Sequence, residues 1–159
     1  MITPGTPKSA AVVLELLKPL FVRGHTLWID IFFTSPELAR KLKIENSADC
    51  VGTLKFNRNN VPKEMKNEKL EKGEIIARLS GPVTVLKWRD IRNVTMVSKY
   101  QSADTQIVSN KGKETEKPLC VIDYNYNMGG RRFEGLVAAH VHGRGEKITK
   151  WYLKFSKGY

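Results

Sequence analysis

Apolar residues along the chain change period several times. Over residues 9–21, Val12, Val13, Leu16, Leu17, Leu20 and Phe21 recur at helical spacing and predict an amphipathic helix. Pro19 shortens its last turn and Arg23-Gly24 ends it. Residues 25–30 are short and largely apolar, the pattern of a buried strand. Thr34-Ser35-Pro36-Glu37 then supplies a hydroxyl cap, a first-turn proline and an early acid. These are helix-start signals, and the helix should run to about residue 44 with Leu38 and Leu42 facing the core. A second strand follows at 50–54. A helix between two strands in so little chain predicts a crossover with parallel strands.

The pattern then changes. Residues 55–73 are rich in Asn, Lys and Glu and read as an exposed, partly ordered loop. Residues 74–79, 83–88 and 94–99 read as strands separated by Gly81-Pro82 and by residues 90–93, a small antiparallel meander. Residues 102–117 are polar and read as a solvated loop. Residues 118–128 fit helix or strand by pattern alone. Pro118 at the start and Gly129-Gly130 at the end favour a helix. Beyond Gly130 no period is clear until 148–155, where Lys150-Trp151-Tyr152-Leu153-Lys154-Phe155 mixes rings and cations. There is no internal repeat.

Composition narrows the class. The chain has 159 residues, room for one domain, with 41% hydrophobic and 27% charged residues. That excludes collagen-like, low-complexity and wholly disordered chains. The apolar stretch 10–17 is broken by Glu15 and is too short to span a bilayer. It has no flanks of a signal peptide. Two cysteines, Cys50 and Cys120, are too few for a disulfide scaffold and fit a reducing compartment. The net charge of +11 favours a polyanionic partner, of which nucleic acid is the usual one.

Several residues are candidates for chemistry. Asp30 falls at the carboxyl end of the first strand, where ligands and metals gather in α/β sheets. A carboxylate there suits Mg²⁺, or it caps the following turn. His140 and His142 are half of a zinc site, or two loop histidines; neither cysteine has a partner at ligand spacing. The segment 147–157, with Lys147, Lys150, Trp151 and Lys154, either tracks a phosphate backbone with stacked rings or is an amphipathic helix that buries Trp151 and Phe155. Lys87, Arg89 and Arg92 either touch phosphates or form the exposed face of a hairpin.

The run Gly24-His25-Thr26-Leu27-Trp28-Ile29-Asp30-Ile31-Phe32-Phe33-Thr34-Ser35 resembles the piggyBac transposase family, whose pattern there is close to G-H-x-L-Y-x-D-N-F-Y-T-S. Three more blocks agree in order. Val51-Gly52-Thr53-Leu54, Asn57-Arg58 and Val61-Pro62-Lys63 resemble V-G-T-x-R-x-N-R-x-x-x-P-K. Residues 85–102 resemble the strand pair around W-x-D-x-x-x-V-x-x-L-S. Tyr124-Asn125-x-x-Met128-Gly129-Gly130 resembles Y-N-x-x-M-G-G-V-D. The resemblance covers nearly all of 8–130 and also 149–155.

What the resemblance implies is an α/β fold, part of an RNase H-like core with a β-rich insertion over about 55–117, from a nuclear, cut-and-paste DNA transposase that forms a homodimer. Three aspartates of the family hold two divalent metals, Mg²⁺ among them. Asp30 matches the second. The first is expected upstream of Met1 and the third directly after Gly130 as Val-Asp, where this chain has Arg131-Arg132. The family's cysteine-rich zinc module has no counterpart here. Reading GGT-AGA-CGN for Gly130-Arg131-Arg132 one nucleotide later gives GTA-GAC, Val-Asp. With those codons, two compensating frameshifts, near Gly130 and near Glu146, are the expected cause of the aperiodic stretch 131–147, and residues 148–159 are expected to be the remnant of the following helix.

The sequence thus describes a transposase fragment, inactive as it stands, that binds DNA without sequence preference through Lys55, Arg58, Lys63, Lys87, Arg89 and the segment 147–157. The alternatives are a retained non-catalytic DNA-binding or protein-interaction module and a decayed gene product. Without upstream strands, one edge of the sheet is expected to stay unpaired.

Overall fold

A computed structural model describes residues 4–18, 26–58, 60–99, 102–128, 136–142 and 149–154. The first helix, α1 (Lys8–Leu17), buries Ala10, Val13, Leu14 and Leu17, an i, i+3, i+4, i+7 stripe. Leu16, expected on that stripe, points outward. The expected last turn with Leu20 and Phe21 lies outside the described residues. Strand β1 (Thr26–Ile29) is buried along its whole length, as its largely apolar run predicts. Helix α2 (Pro36–Asn46) starts where its signals put it: the Ser35 hydroxyl accepts the Leu38 amide hydrogen at 3.1 Å, and Pro36 occupies the first turn. Leu38, Ala39 and Leu42 face the core. Each such leucine contributes roughly 1.5–3 kcal/mol of burial.

Strand β2 (Asp49–Thr53) returns parallel to β1, with Ile29 opposite Gly52. The crossover prediction is thus met. Gly52 is required where it stands. A Cβ built there would lie 2.6 Å from the Ile29 carbonyl oxygen and 2.5 Å from the Thr34 hydroxyl. Main chain cannot withdraw from such a contact cheaply.

The polar segment after β2 is more ordered than its composition suggests. It contains a short helix, α3 (Lys63–Asn67), and inserts Val61 and Met65 into the core. Two apolar residues in a polar stretch carry no periodicity, so the pattern missed them. Strands β3 (Ile75–Ser80), β4 (Val83–Arg89) and β5 (Asn93–Ser98) form the expected antiparallel meander. The meander is continuous with the first sheet, because β5 pairs antiparallel with β2.

The stretch read as a solvated loop is a hairpin instead: β6 (Thr105–Asn110) and β7 (Lys113–Pro118) form a separate two-stranded sheet. Its turn residues Lys111 and Gly112 both have positive φ, +50° and +76°, the geometry that matches strand twist in a two-residue hairpin. Most of its side chains are exposed, so no apolar alternation marked it. Helix α4 (Leu119–Met128) follows, as the flanking proline and glycines indicated.

A further hairpin follows, β8 (Leu136–His142) and β9 (Thr149–Lys154). This corrects three expectations. His140 and His142 belong to a strand, not a loop. Residues 149–154 form a strand, not a helix; alternating rings and cations suit a strand as well as a helix, so the pattern did not decide. And β1 is paired on both sides: β8 lies antiparallel to it, with Thr26 opposite His142 and Trp28 opposite His140. The resulting seven-stranded sheet has the order β3-β4-β5-β2-β1-β8-β9.

Both faces of β1, β2, β4 and β5 are covered. On one, Leu27, Ile29, Val85 and Val97 pack with α1 and α2 residues. On the other, Trp28, Val51, Leu86, Trp88 and Met96 meet Cys120 and Val121 of α4. No helix among the described residues is long and apolar enough to cross a membrane.

Candidate functional site

Strand direction gathers the site at one end of the sheet. Strands β1, β2 and β4 run the same way, because β5 is antiparallel to both its neighbours. Asp30 follows β1, Lys55 follows β2 closely, and Arg89 ends β4, so all three lie at that end. Asp30 and Arg89 are three strand spacings apart laterally, roughly 14 Å.

Asp30 begins a tight turn. Its main-chain carbonyl accepts the amide hydrogens of Phe33 and Thr34 at 3.0 and 3.2 Å, and the Thr34 hydroxyl donates to it at 2.8 Å. The turn is closed by main chain and by buried Thr34, so the Asp30 carboxylate is not needed as its cap. The turn projects Ile31 and Phe32 outward, 39% and 56% exposed. Phe33 turns inward and meets the Phe32 ring edge-on, with centroids 4.9 Å apart.

The segment after β2 closes over this turn. The Lys55 ammonium lies 5.6 Å from the centre of the Phe32 ring, within cation–π range. One terminal guanidinium nitrogen of Arg58 donates to the Phe32 carbonyl at 2.6 Å. Lys63, at the start of α3, is exposed.

Lys87 is not available to a phosphate. Its side chain is buried, 1% exposed, and its ammonium donates to the carbonyls of Met65 and Glu68 at 2.8 and 2.5 Å while lying 4.8 Å from the Phe56 ring centre. Those carbonyls end α3, where no further helical turn can satisfy them. A lysine in the middle of a strand that is buried on both faces has to spend its charge inside. Arg89 is half-buried, and its main chain pairs with Gly73 and Glu74. On β9, register sets Lys150 opposite His140 and Lys154 opposite Leu136, which brings position 154 to the same sheet end as Asp30. Trp151 lies between them, opposite Ala139. Lys147 lies outside the described residues, as do Arg131, Arg132 and Glu134.

Among the described residues no group of three His, Cys, Asp or Glu side chains is placed to hold a metal ion. Asp30 alone does not make a two-metal site: Mg²⁺ on one protein carboxylate keeps most of its water. Asp123 sits on α4 and is engaged in other contacts. The cysteines offer no nucleophile. Burial, with Asp49 adding to it, pushes the Cys50 thiol up to about 12. Burial also raises Cys120 to about 11 despite a hydrogen bond with Ser98.

What the sequence reading missed is aromatic. Phe32 and Phe56 each lie under a lysine at this end of the sheet. A signal was present: the apolar run from Leu27 continues past Asp30 through Ile31-Phe32-Phe33, further than the strand needs.

The fold is similar to that of a solved structure. The piggyBac transposase, solved by cryo-EM as a synaptic complex with hairpin DNA, matches the chain with a TM-score of 0.65 and 30% sequence identity over 80% of this chain. The chain spans 27% of that protein's length. The family model described as Transposase IS4 matches residues 3–156. The chain therefore belongs to the Transposase IS4 family, and its domain is of the piggyBac type.

Proposed function

We propose that this chain is part of a cut-and-paste DNA transposase which, as it stands, binds DNA without cutting or joining it. The observation that carries this reading is the combination at one sheet end. Lys55 and Arg58 crowd the turn after Asp30, while no group of three His, Cys, Asp or Glu side chains placed to hold a metal ion occurs among the described residues. Cations beside a phosphodiester hold it in place. Two-metal strand transfer also needs carboxylates on both ions.

The flanking helices and the parallel β1–β2 pair support reading the sheet as part of an RNase H-like core. The structural relative was solved as a complex with hairpin DNA, which supports DNA as the partner; the nucleus as the place of action rests on the resemblance alone. The homodimer rests on resemblance alone. The frameshifted stretch 131–147 stays part of this reading and is tested on the coding DNA, where a one-nucleotide shift restores Val-Asp after Gly130 or the idea fails.

The activity test is direct. The chain and Asp30→Ala are incubated with a transposon end and Mg²⁺ or Mn²⁺. Both bind at low salt, release as salt rises, and leave the strands intact. Metal-dependent nicking by the chain that disappears in Asp30→Ala refutes inactivity and shows that other acids replace the missing ones.

A further inference from the structure

We propose that Phe32 is a stacking platform for an unpaired DNA base beside Asp30, with Lys55 and Arg58 taking the adjoining phosphates. The proposal rests on the DNA-binding reading above and specifies which part of DNA the site takes.

A single exposed ring is ordinary on a protein surface. Phe32 is not merely exposed. Its main chain lies inside the turn closed on the Asp30 carbonyl. Its own carbonyl is held by Arg58 at 2.6 Å, and Phe33 supports its ring edge-on. A ring fixed in this way loses little conformational freedom when a ligand stacks on it. The groups around it are cationic. Lys55 lies 5.6 Å from the ring centre and Arg58 grips the same residue. An apolar protein partner would have to strip water from both cations, whereas a nucleotide brings a flat face for the ring and a negative charge for each cation. The base faces of an intact duplex are covered by their neighbours, so the ligand that fits is a nucleotide out of the stack. The ring follows Asp30 by two residues, which sets such a base next to the sheet end.

The test uses the whole chain and three labelled probes: a single strand, a blunt duplex, and a duplex with one unpaired 2-aminopurine. The chain binds the single strand and the unpaired-base duplex more tightly than the blunt duplex, and 2-aminopurine fluorescence is quenched. Phe32→Ala weakens those two complexes about tenfold, leaves the blunt duplex unchanged and abolishes the quench. Phe32→Trp keeps both preference and quench, which separates stacking from a loss of fold. Lys55→Ala weakens all three probes together. Blunt-duplex binding without a preference for unpaired bases overturns this proposal and leaves the DNA reading standing. An equal loss on all probes in Phe32→Ala overturns it too. No binding to any probe at low salt overturns both.

Discussion

Arg58 holds the carbonyl of Phe32 at 2.6 Å, joining two segments that lie 26 residues apart in sequence. One side chain therefore fastens the loop after β2 to the turn that carries Asp30. Arg58→Lys keeps the charge but replaces the planar fork with a single point donor. It is expected to preserve the slope of DNA affinity against salt while raising hydrogen exchange at residues 31–34. Arg58→Ala is expected to lower that slope by about one as well. Filter binding at several salt concentrations and exchange mass spectrometry separate the two effects; unchanged exchange at residues 31–34 in both variants would show that the tether is irrelevant.

Lys87 supports the same loop from beneath. Lys87→Met fills similar space but leaves the carbonyls of Met65 and Glu68 without their donor. An unsatisfied buried acceptor costs about 1–3 kcal/mol, and the denaturant midpoint should fall accordingly. A variant as stable as the parent would mean that the two carbonyls find other donors.

Gly52→Ala tests the closeness of β1 and β2. The added methyl meets the Ile29 carbonyl, which is main chain in the neighbouring strand and cannot swing aside. Overpacking of this kind costs roughly 1–3 kcal/mol or more. A chemical denaturation curve that coincides with that of the parent refutes it.

The thiols predict an alkaline weakness. Cys50 and Cys120 titrate near 12 and 11 when folded, against 9.0 for an ordinary thiol. The unfolded chain therefore releases these protons first as pH rises, and the native state is favoured only while they remain bound. Their contribution is complete below about pH 9 and is lost progressively as the pH climbs toward the folded values. Between pH 8 and 10.5 the parent should lose more stability than Cys50→Ala/Cys120→Ala, measured side by side in urea. Parallel losses would rule the thiols out.

Much of this was legible in the amino-acid order, and the exceptions have physical causes. The Thr34-Ser35-Pro36-Glu37 signal located α2, and the burial of β1 on both faces followed from its largely apolar run. Asp30 fell at the strand end as expected. Lys87 misled because charge was read as exposure: nothing local reveals that a strand lysine will cap a helix more than 15 residues earlier. The hairpin of β6 and β7 was hidden because its side chains are mostly exposed, leaving Lys111-Gly112 as its one local mark. The pairing of β8 with β1 is a long-range choice that no window of sequence contains.

That pairing can be broken selectively. Val141 stands between Leu27 of β1 and Thr149 of β9, so its amide faces a ladder whichever way it points. Val141→Pro removes that donor and should release β8. The bared edge of β1 then invites a second molecule, and the variant should elute as larger species in gel filtration. Unchanged elution and unchanged melting would show that β8 contributes nothing to the sheet.

The place of β8 in the sheet also orders events in time. Strand β1 reaches β2 across a single helix, so that half of the sheet closes a short loop and assembles early. Its other neighbour, β8, lies far downstream, after the meander, the β6–β7 hairpin and α4, and is made long after β1 and β2. During synthesis and refolding the chain therefore passes through a stage in which the middle of its sheet is finished on one side only. The length of that stage is set by a slow, distant loop closure, and its success depends on how crowded the molecules are while it lasts.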